Sequence, residues 1–274
     1  MELLNNYIPR EYLALKINYC RQQLEKLPVV KVYMHASGKT QTQRIVVNNH
    51  KYNPIFSPGK DYYEIWKTRD LLERRLRLYQ TIWDCNFRGE PSKDCIPHKA
   101  CRVFYADTNK PVIMNKKYFD SLENDANFAH PKNDNYRFNG IRYRSAAERD
   151  IAIFYTEMGI PFKYEPKVML KGLVKPVYPD FVPYFEELDT CKFHEHFGIK
   201  DSSDYFSMTK FKFGNFANAG LIQDLDVIFT FDTDDTWFDP RCLSAKINGA
   251  IYQTICLNNK TSVNQIAPGI NNAS

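Results

Sequence analysis

No stretch of about 18 apolar residues occurs in the chain, so no transmembrane helix is expected. Its opening, MELLNNYIPREYLALK, lacks a basic segment followed by an apolar run. A secretory signal peptide is therefore not expected, and a cytoplasmic location is. No C-x-x-C pair occurs among the seven cysteines Cys20, Cys85, Cys95, Cys101, Cys191, Cys242 and Cys256. Their number is odd and their spacing irregular, which argues against a disulfide framework or a zinc knuckle and for reduced thiols. G-x-x-x-x-G-K-[ST], G-x-G-x-x-G and G-x-S-x-G are all missing. Three common routes to phosphate binding, dinucleotide binding and serine hydrolysis are thereby set aside. There is also no RNP-like aromatic motif, no internal repeat and no long low-complexity tract.

What is present begins with enough apolar material for a core. The 274 residues are 43% hydrophobic and 15% aromatic, which excludes wholesale disorder. The net charge of +5 is unevenly spread. Residues 1–140 carry 23 Lys and Arg against 15 Asp and Glu, whereas residues 141–274 carry 14 against 17. A basic front half suits a polyanionic partner, and an acidic back half suits bound cations; ordinary surface charge is the plain alternative.

Helical spacing of Leu13, Ile17, Cys20, Leu24 and Leu27 predicts a helix over 11–27, stopped by Pro28. VVKVYM and QRIVV read as a hairpin with Gly38 in its turn. A second helix is predicted over 62–83, with Ile65, Leu72, Leu76, Tyr79 and Trp83 inward and Arg69, Arg74, Arg75 and Arg77 on other faces. Those arginines are candidate phosphate contacts, with a solvated face as the bland alternative. Residues 84–140 read as short helices and linker, with a boundary near 130–140. The expected domains are a basic α/β arm at 1–130, a second domain at 140–256 and a tail at 257–274.

From Ser145 the pattern sharpens. Ser145 is a candidate N-cap, Glu148 completes a possible capping box, and Gly159 ends the helix. Strands are predicted at 162–170, 177–185 and 191–198, then a helix over 203–216, a strand over 225–231 and a helix over 240–254. Period-2 alternation puts Cys191, Phe193, Glu195 and Phe197 on one face and Lys192, His194 and His196 on the other. Glu195 is then the lone acid in an apolar row, and Asp180 interrupts a neighbouring apolar run. Buried acids of this kind need a partner or a cation. Mg²⁺ commonly takes one or two carboxylates, waters and phosphate oxygens.

YPDF, then a strand with Glu195, after a helix bearing Glu148, resembles the PD-(D/E)xK superfamily of restriction-endonuclease-like nucleases. The string HEHFG, together with SAAERDIA, GIPFKYEP and LDVIFTF, is similar to a bacterial branch in which the strand reads E-H-F-G and the motif's lysine has moved. The resemblance implies an α/β fold with a restriction-endonuclease-like core (helix, three strands, helix, strand) behind an N-terminal helical and β-hairpin arm. It implies Mg²⁺ or Mn²⁺ held by Asp180, Glu195 and the backbone carbonyl of His196, with Glu148 assisting. The usual lysine position holds Phe197, so Lys212 is the expected substitute, with Lys210 second; Lys192 faces the other way. The implied activity is phosphodiester hydrolysis, in DNA rather than RNA, in a setting of defence, mobile elements or repair.

Each residue also has a structural reading. Asp180 could merely open a strand, Glu195 could pair with a core histidine or arginine, and Glu148 could serve only as a cap. His194 and His196 could form a transition-metal pair. FDTDDTWFD is better read as a strand-to-helix connection, with Asp239 capping the helix at Pro240, than as a metal loop. The rival functions are a catalytically inactive nuclease-fold module that binds nucleic acid or inhibits a nucleic-acid-processing protein, and a stand-alone protein-interaction factor.

Overall fold

A computed structural model describes residues 2–37, 40–107, 110–198, 203–232 and 236–264. The architecture is mixed α/β. It divides into two compact units, one of Leu13–Pro97 and one of Met1–Tyr12 with His98–Ser274. Residues 98–130, expected with the arm, thus lie in the larger unit.

The chain starts with α1 (Glu2–Tyr7) and α2 (Arg10–Lys26), and the division between units falls inside α2. In the smaller unit follow β1 (Lys31–Ser37), β2 (Thr40–Val47), β3 (His50–Tyr52) and the long α3 (Gly59–Asn86). β1, β2 and β3 form an antiparallel meander. Its buried Val30, Ile45 and Val47 pack with Tyr62, Ile65 and Trp66 of α3. Gly38, the expected turn residue, lies outside the described residues.

In the larger unit the irregular-looking stretch contains β4 (Val103–Asp107), β5 (Lys110–Ile113), α4 (Lys116–Ser121), β6 (Arg137–Phe138) and β7 (Ile141–Arg142). β4–β5 and β6–β7 are hairpins that the polar composition concealed. Then come α5 (Ala146–Glu157), β8 (Phe162–Tyr164), β9 (Phe181–Phe185), β10 (Thr190–Cys191), β11 (Phe193–Phe197), α6 (Ser203–Asn218), β12 (Val227–Phe231) and α7 (Pro240–Asn264).

β9 is antiparallel to β8, β10 and β11, while β11 runs parallel to β12 in the register Phe193↔Val227 to Phe197↔Phe231. Alternation sends Val182, Tyr184, Cys191, Phe193, Phe197, Val227 and Phe229 into a cluster with Phe216 of α6. On the opposite face Phe181 meets Tyr155 of α5 at 5.9 Å, and Lys192 bonds Thr254 of α7 at 3.0 Å. A sheet covered on both faces explains why its strands read as nearly continuous apolar runs.

Four strand boundaries differ from expectation, and one of them is in β12, which starts at Val227 rather than 225. The strand from 162 ends at Tyr164, because Glu165 adopts a left-handed φ of 41° and turns the chain. Beyond it, Val168 makes only an isolated bridge with Val177. The second strand starts at Phe181, which leaves Asp180 at its mouth. The third is interrupted at Lys192, whose N–H donates to Pro183 O at 3.0 Å. The helix expected to end at 254 continues to Asn264, into the expected tail.

The cap on α5 is as expected: Ser145 Oγ accepts the Glu148 N–H at 3.1 Å. Ser145→Ala should therefore cost about 1 kcal/mol and lower Tm by about 2–4 °C, measured by thermal denaturation. An unchanged Tm would mean that the exposed N–H groups are satisfied without the hydroxyl. Asp239 likewise caps α7, accepting the Arg241 N–H at 2.8 Å.

Candidate active site

Four elements converge on one polar cluster. The start of α5 supplies Glu148, the residue before β9 supplies Asp180, β11 supplies Glu195, and α6 supplies Lys212. Glu148, Asp180 and Glu195 are all buried, Glu195 to 1% exposure. Arg144, Glu148, Asp180, His196, Lys212 and Asp232 line a cleft of about 570 Å³.

Glu148 does not close a capping box on Ser145. Its Oε2 instead accepts the Arg144 N–H at 3.0 Å and the Tyr164 hydroxyl at 2.5 Å. Asp180 Oδ2 accepts the His196 N–H at 2.7 Å, which ties the mouth of β9 to β11. Glu195 Oε2 lies 2.6 Å from Lys212 Nζ.

That lysine also lies 5.7 Å from the centre of the Phe197 ring. Phe197 itself stacks with Phe213 at 5.7 Å and Phe231 at 5.4 Å. An aromatic thus fills the strand position while α6 delivers the ammonium. Lys210 is exposed, as its angular separation from Lys212 on the helix requires. Lys192 is fully buried elsewhere, donating to Leu225 O at 2.5 Å.

Arg144 joins the cluster without having been singled out in the sequence. Its Nη2 lies 3.0 Å from Glu165 Oε1, 3.1 Å from Asp180 Oδ1 and 3.5 Å from Glu148 Oε1. Glu165, also unforeseen, is buried and accepts from Asn127 Nδ2 at 2.9 Å, with Lys132 Nζ 3.5 Å from its other oxygen. The only sequence signals were an arginine next to the cap and an acid in FKYEP, both ordinary on a surface.

Four acids crowd a small buried volume. Burial, then the charge of Asp180, pushes Glu148 up to about 7 and Glu195 up to about 8. The Lys212 contact lowers Glu195 but is outweighed. Burial works against the charge on Lys212, yet Glu195 and Asp180 raise its pKa.

A raised carboxyl pKa means that the folded state binds the proton more tightly than the unfolded one. The stabilisation is present below the ordinary pKa of about 4.3 and is lost as pH rises through the folded value. Glu195→Gln should therefore melt above the unsubstituted protein at pH 9, by about 2–4 °C per kcal/mol. The two curves should meet near pH 4. A lower-melting variant at pH 9 would mean that the ion pair outweighs burial.

The histidine pair is committed to hydrogen bonds. His194 lies 2.8 Å from the Tyr155 hydroxyl through Nδ1 and 2.8 Å from Thr230 Oγ1 through Nε2. His196 contacts Thr230 Oγ1 and Asp232 Oδ1, each at 2.8 Å. The transition-metal alternative is thereby corrected, since every ring nitrogen already has a partner. Among the described residues no three His, Cys, Asp or Glu side chains are placed to hold one metal ion. The fit to a cation rests on the oxygens of two carboxylates, Asp180 and Glu195, a number Mg²⁺ commonly takes. Residues 233–235 of FDTDDTWFD lie outside the described residues.

On α3, Arg69 Nη1 donates to Leu24 O at 3.0 Å and Leu27 O at 2.9 Å, satisfying carbonyls at the end of α2. Arg74 is exposed and 2.7 Å from Asp70; Arg75 is half-buried and Arg77 exposed.

The fold and cluster define a mixed α/β protein with a buried acidic site on the inner strands β9 and β11 of a five-stranded sheet. No protein-family model, curated protein or solved structure matches the chain.

Proposed function

We propose that the larger unit is a restriction-endonuclease-like nuclease domain that hydrolyses phosphodiester bonds with Mg²⁺ or Mn²⁺, in DNA rather than RNA. The observation that carries this is the placing of Lys212 between two acids, 2.6 Å from Glu195 and on the lining of the cleft that Asp180 also lines, although β11 has Phe197 where lysine is usual. The order α5, β8, β9, β11, α6, β12 supports it as well.

Asp180 and Glu195 are the residues to hold the ion, which would supply a water of lowered pKa and charge beside the phosphoryl oxygen. Lys212 holds an ammonium next to that position, where it offsets negative charge growing on the phosphate. Arg144 restrains Asp180 and Glu148 against mutual repulsion. Glu148, with a pKa near neutrality, is able to hold or release a proton at the cleft. Of the α3 arginines, the exposed Arg74 and Arg77 are the proposed phosphate contacts; Arg69 is committed to backbone carbonyls and Arg75 is half-buried.

A second function, a binding module without catalysis, is favoured by one observation. The Arg144 guanidinium sits among Glu148, Glu165 and Asp180, where it performs the charge-neutralising part of a cation. Incubating supercoiled plasmid with the protein and Mg²⁺ or Mn²⁺ separates the two. Nicking supports the nuclease; retention of plasmid without nicking in either metal supports the module.

A further inference from the structure

A second cleft, of about 280 Å³, opens next to the first, and Arg144 and Lys212 line both. Its walls are of a different kind. Leu170, Val177, Phe211 and Phe216 make them largely apolar, and Glu195 and Asn215 add polar groups.

Two side chains offer contacts to an occupant of this cleft. Asn215 is only 7% exposed, and among the described residues its carboxamide has no hydrogen-bond partner. The carboxamide atoms are not sealed from solvent; they open onto the cleft, where a ligand can reach them. Phe211 is 63% exposed at the same cleft, so its ring is open to an occupant.

The helix geometry links these to the polar cluster. Phe211 and Asn215 are spaced i, i+4, and Lys212 and Asn215 are spaced i, i+3, so all three lie on neighbouring strips of α6. One strip carries the ammonium that faces Glu195; the next carries a ring and a free amide.

We infer that the second cleft receives a single unstacked nucleobase, with its face against Phe211 and its edge on the Asn215 carboxamide, beside a phosphate at Lys212 and Arg144. An amide offers one donor and one acceptor, the pairing a base edge presents. A cleft with apolar walls that also carries Lys212 and Arg144 suits a base and its phosphate, and aromatic stacking tolerates any base. The substrate class is therefore nucleic acid with unpaired nucleotides at the site, such as a single strand, gap, flap or the unwound regions of a supercoiled plasmid, rather than relaxed continuous duplex. This rests on the cluster being a phosphodiester site, whether the bond is cut or only held.

The test is binding without turnover. Anisotropy of a labelled single-stranded DNA and of its duplex is measured with the full chain in EDTA. The unsubstituted protein should prefer the single strand. Phe211→Ala and Asn215→Leu should each weaken single-strand binding about tenfold, the scale of one lost stacking or base-edge contact, and leave duplex binding unchanged. Phe211 is exposed, so Phe211→Ala decides the matter if Asn215→Leu melts lower. Equal affinity for both DNAs, no binding of either, or variants that bind the single strand like the parent would overturn the inference. Plasmid nicking without single-strand preference would remove the base cleft and leave the nuclease. Single-strand preference without nicking would do the reverse.

Discussion

Asp180→Asn and Glu195→Gln each lower Mg²⁺-dependent plasmid nicking by about a hundredfold to a thousandfold, the scale on which a directly placed charge-stabilising group acts. Both changes keep side-chain shape and remove the negative charge a divalent ion requires. Asp180 retains an oxygen for the His196 N–H, so its loss of activity is not a loss of the β9–β11 junction. Glu195→Gln is the sharper variant, because the same substitution should raise the melting temperature at high pH. A protein that becomes more stable and inactive together is the signature of a group kept for chemistry at a cost in stability. Lys212→Ala should fall into the same range, and Lys210→Ala, at an exposed position, should leave nicking unchanged. Activity surviving in both acid variants would remove the nuclease proposal.

Arg144→Met destabilises the larger unit by about 3–5 kcal/mol, the usual cost of removing one partner from a buried ionic group. The side chain is replaced by one of similar length, so the loss is of charge rather than volume. Three carboxylates within 3.0–3.5 Å of Nη2 lose its charge at once, and Glu165 keeps Lys132 at 3.5 Å. The drop in Tm, about 10 °C, should be largest at alkaline pH, where Glu148 is ionised, and should shrink below its folded pKa of about 7. Mg²⁺ added during melting should restore part of the loss, because a ligand held a hundredfold above its Kd contributes about 2.7 kcal/mol. Recovery with Mg²⁺ and none with Na⁺ at matched ionic strength would separate site binding from screening. No recovery would favour the binding module.

Part of this site is readable in one dimension because burying charge is expensive. An acid inside an apolar, alternating segment stands out, as Asp180 and Glu195 do, since few positions there tolerate it without a partner. Lys212 was implied by the resemblance, and helical periodicity adds only that Lys210 cannot face the same site. The capping residues Ser145 and Asp239 are legible for the same local reason. Arg144 and Glu165 are not. An arginine beside a cap and a glutamate beside a proline have the ordinary look of solvent-facing residues. Only the reversal of the chain at Glu165, with its left-handed backbone, brings that acid back under Arg144. The hairpins at 103–113 and 137–142 were concealed in polar sequence, where turn residues outnumber alternating apolar ones.

The amino-acid sequence alone determined the α/β element order after Ser145, the face on which Glu195 lies and the acids that need a partner. These follow from backbone periodicity and the cost of desolvating charge, both local. Tertiary structure decided which cation meets which acid, that Arg144 and Lys132 share the charge balance with Lys212, and that a second cleft opens behind Glu195. Coulomb and hydrogen-bond energies depend on distances across the fold, and residues far apart in the chain acquire those distances only when the sheet and helices close around them.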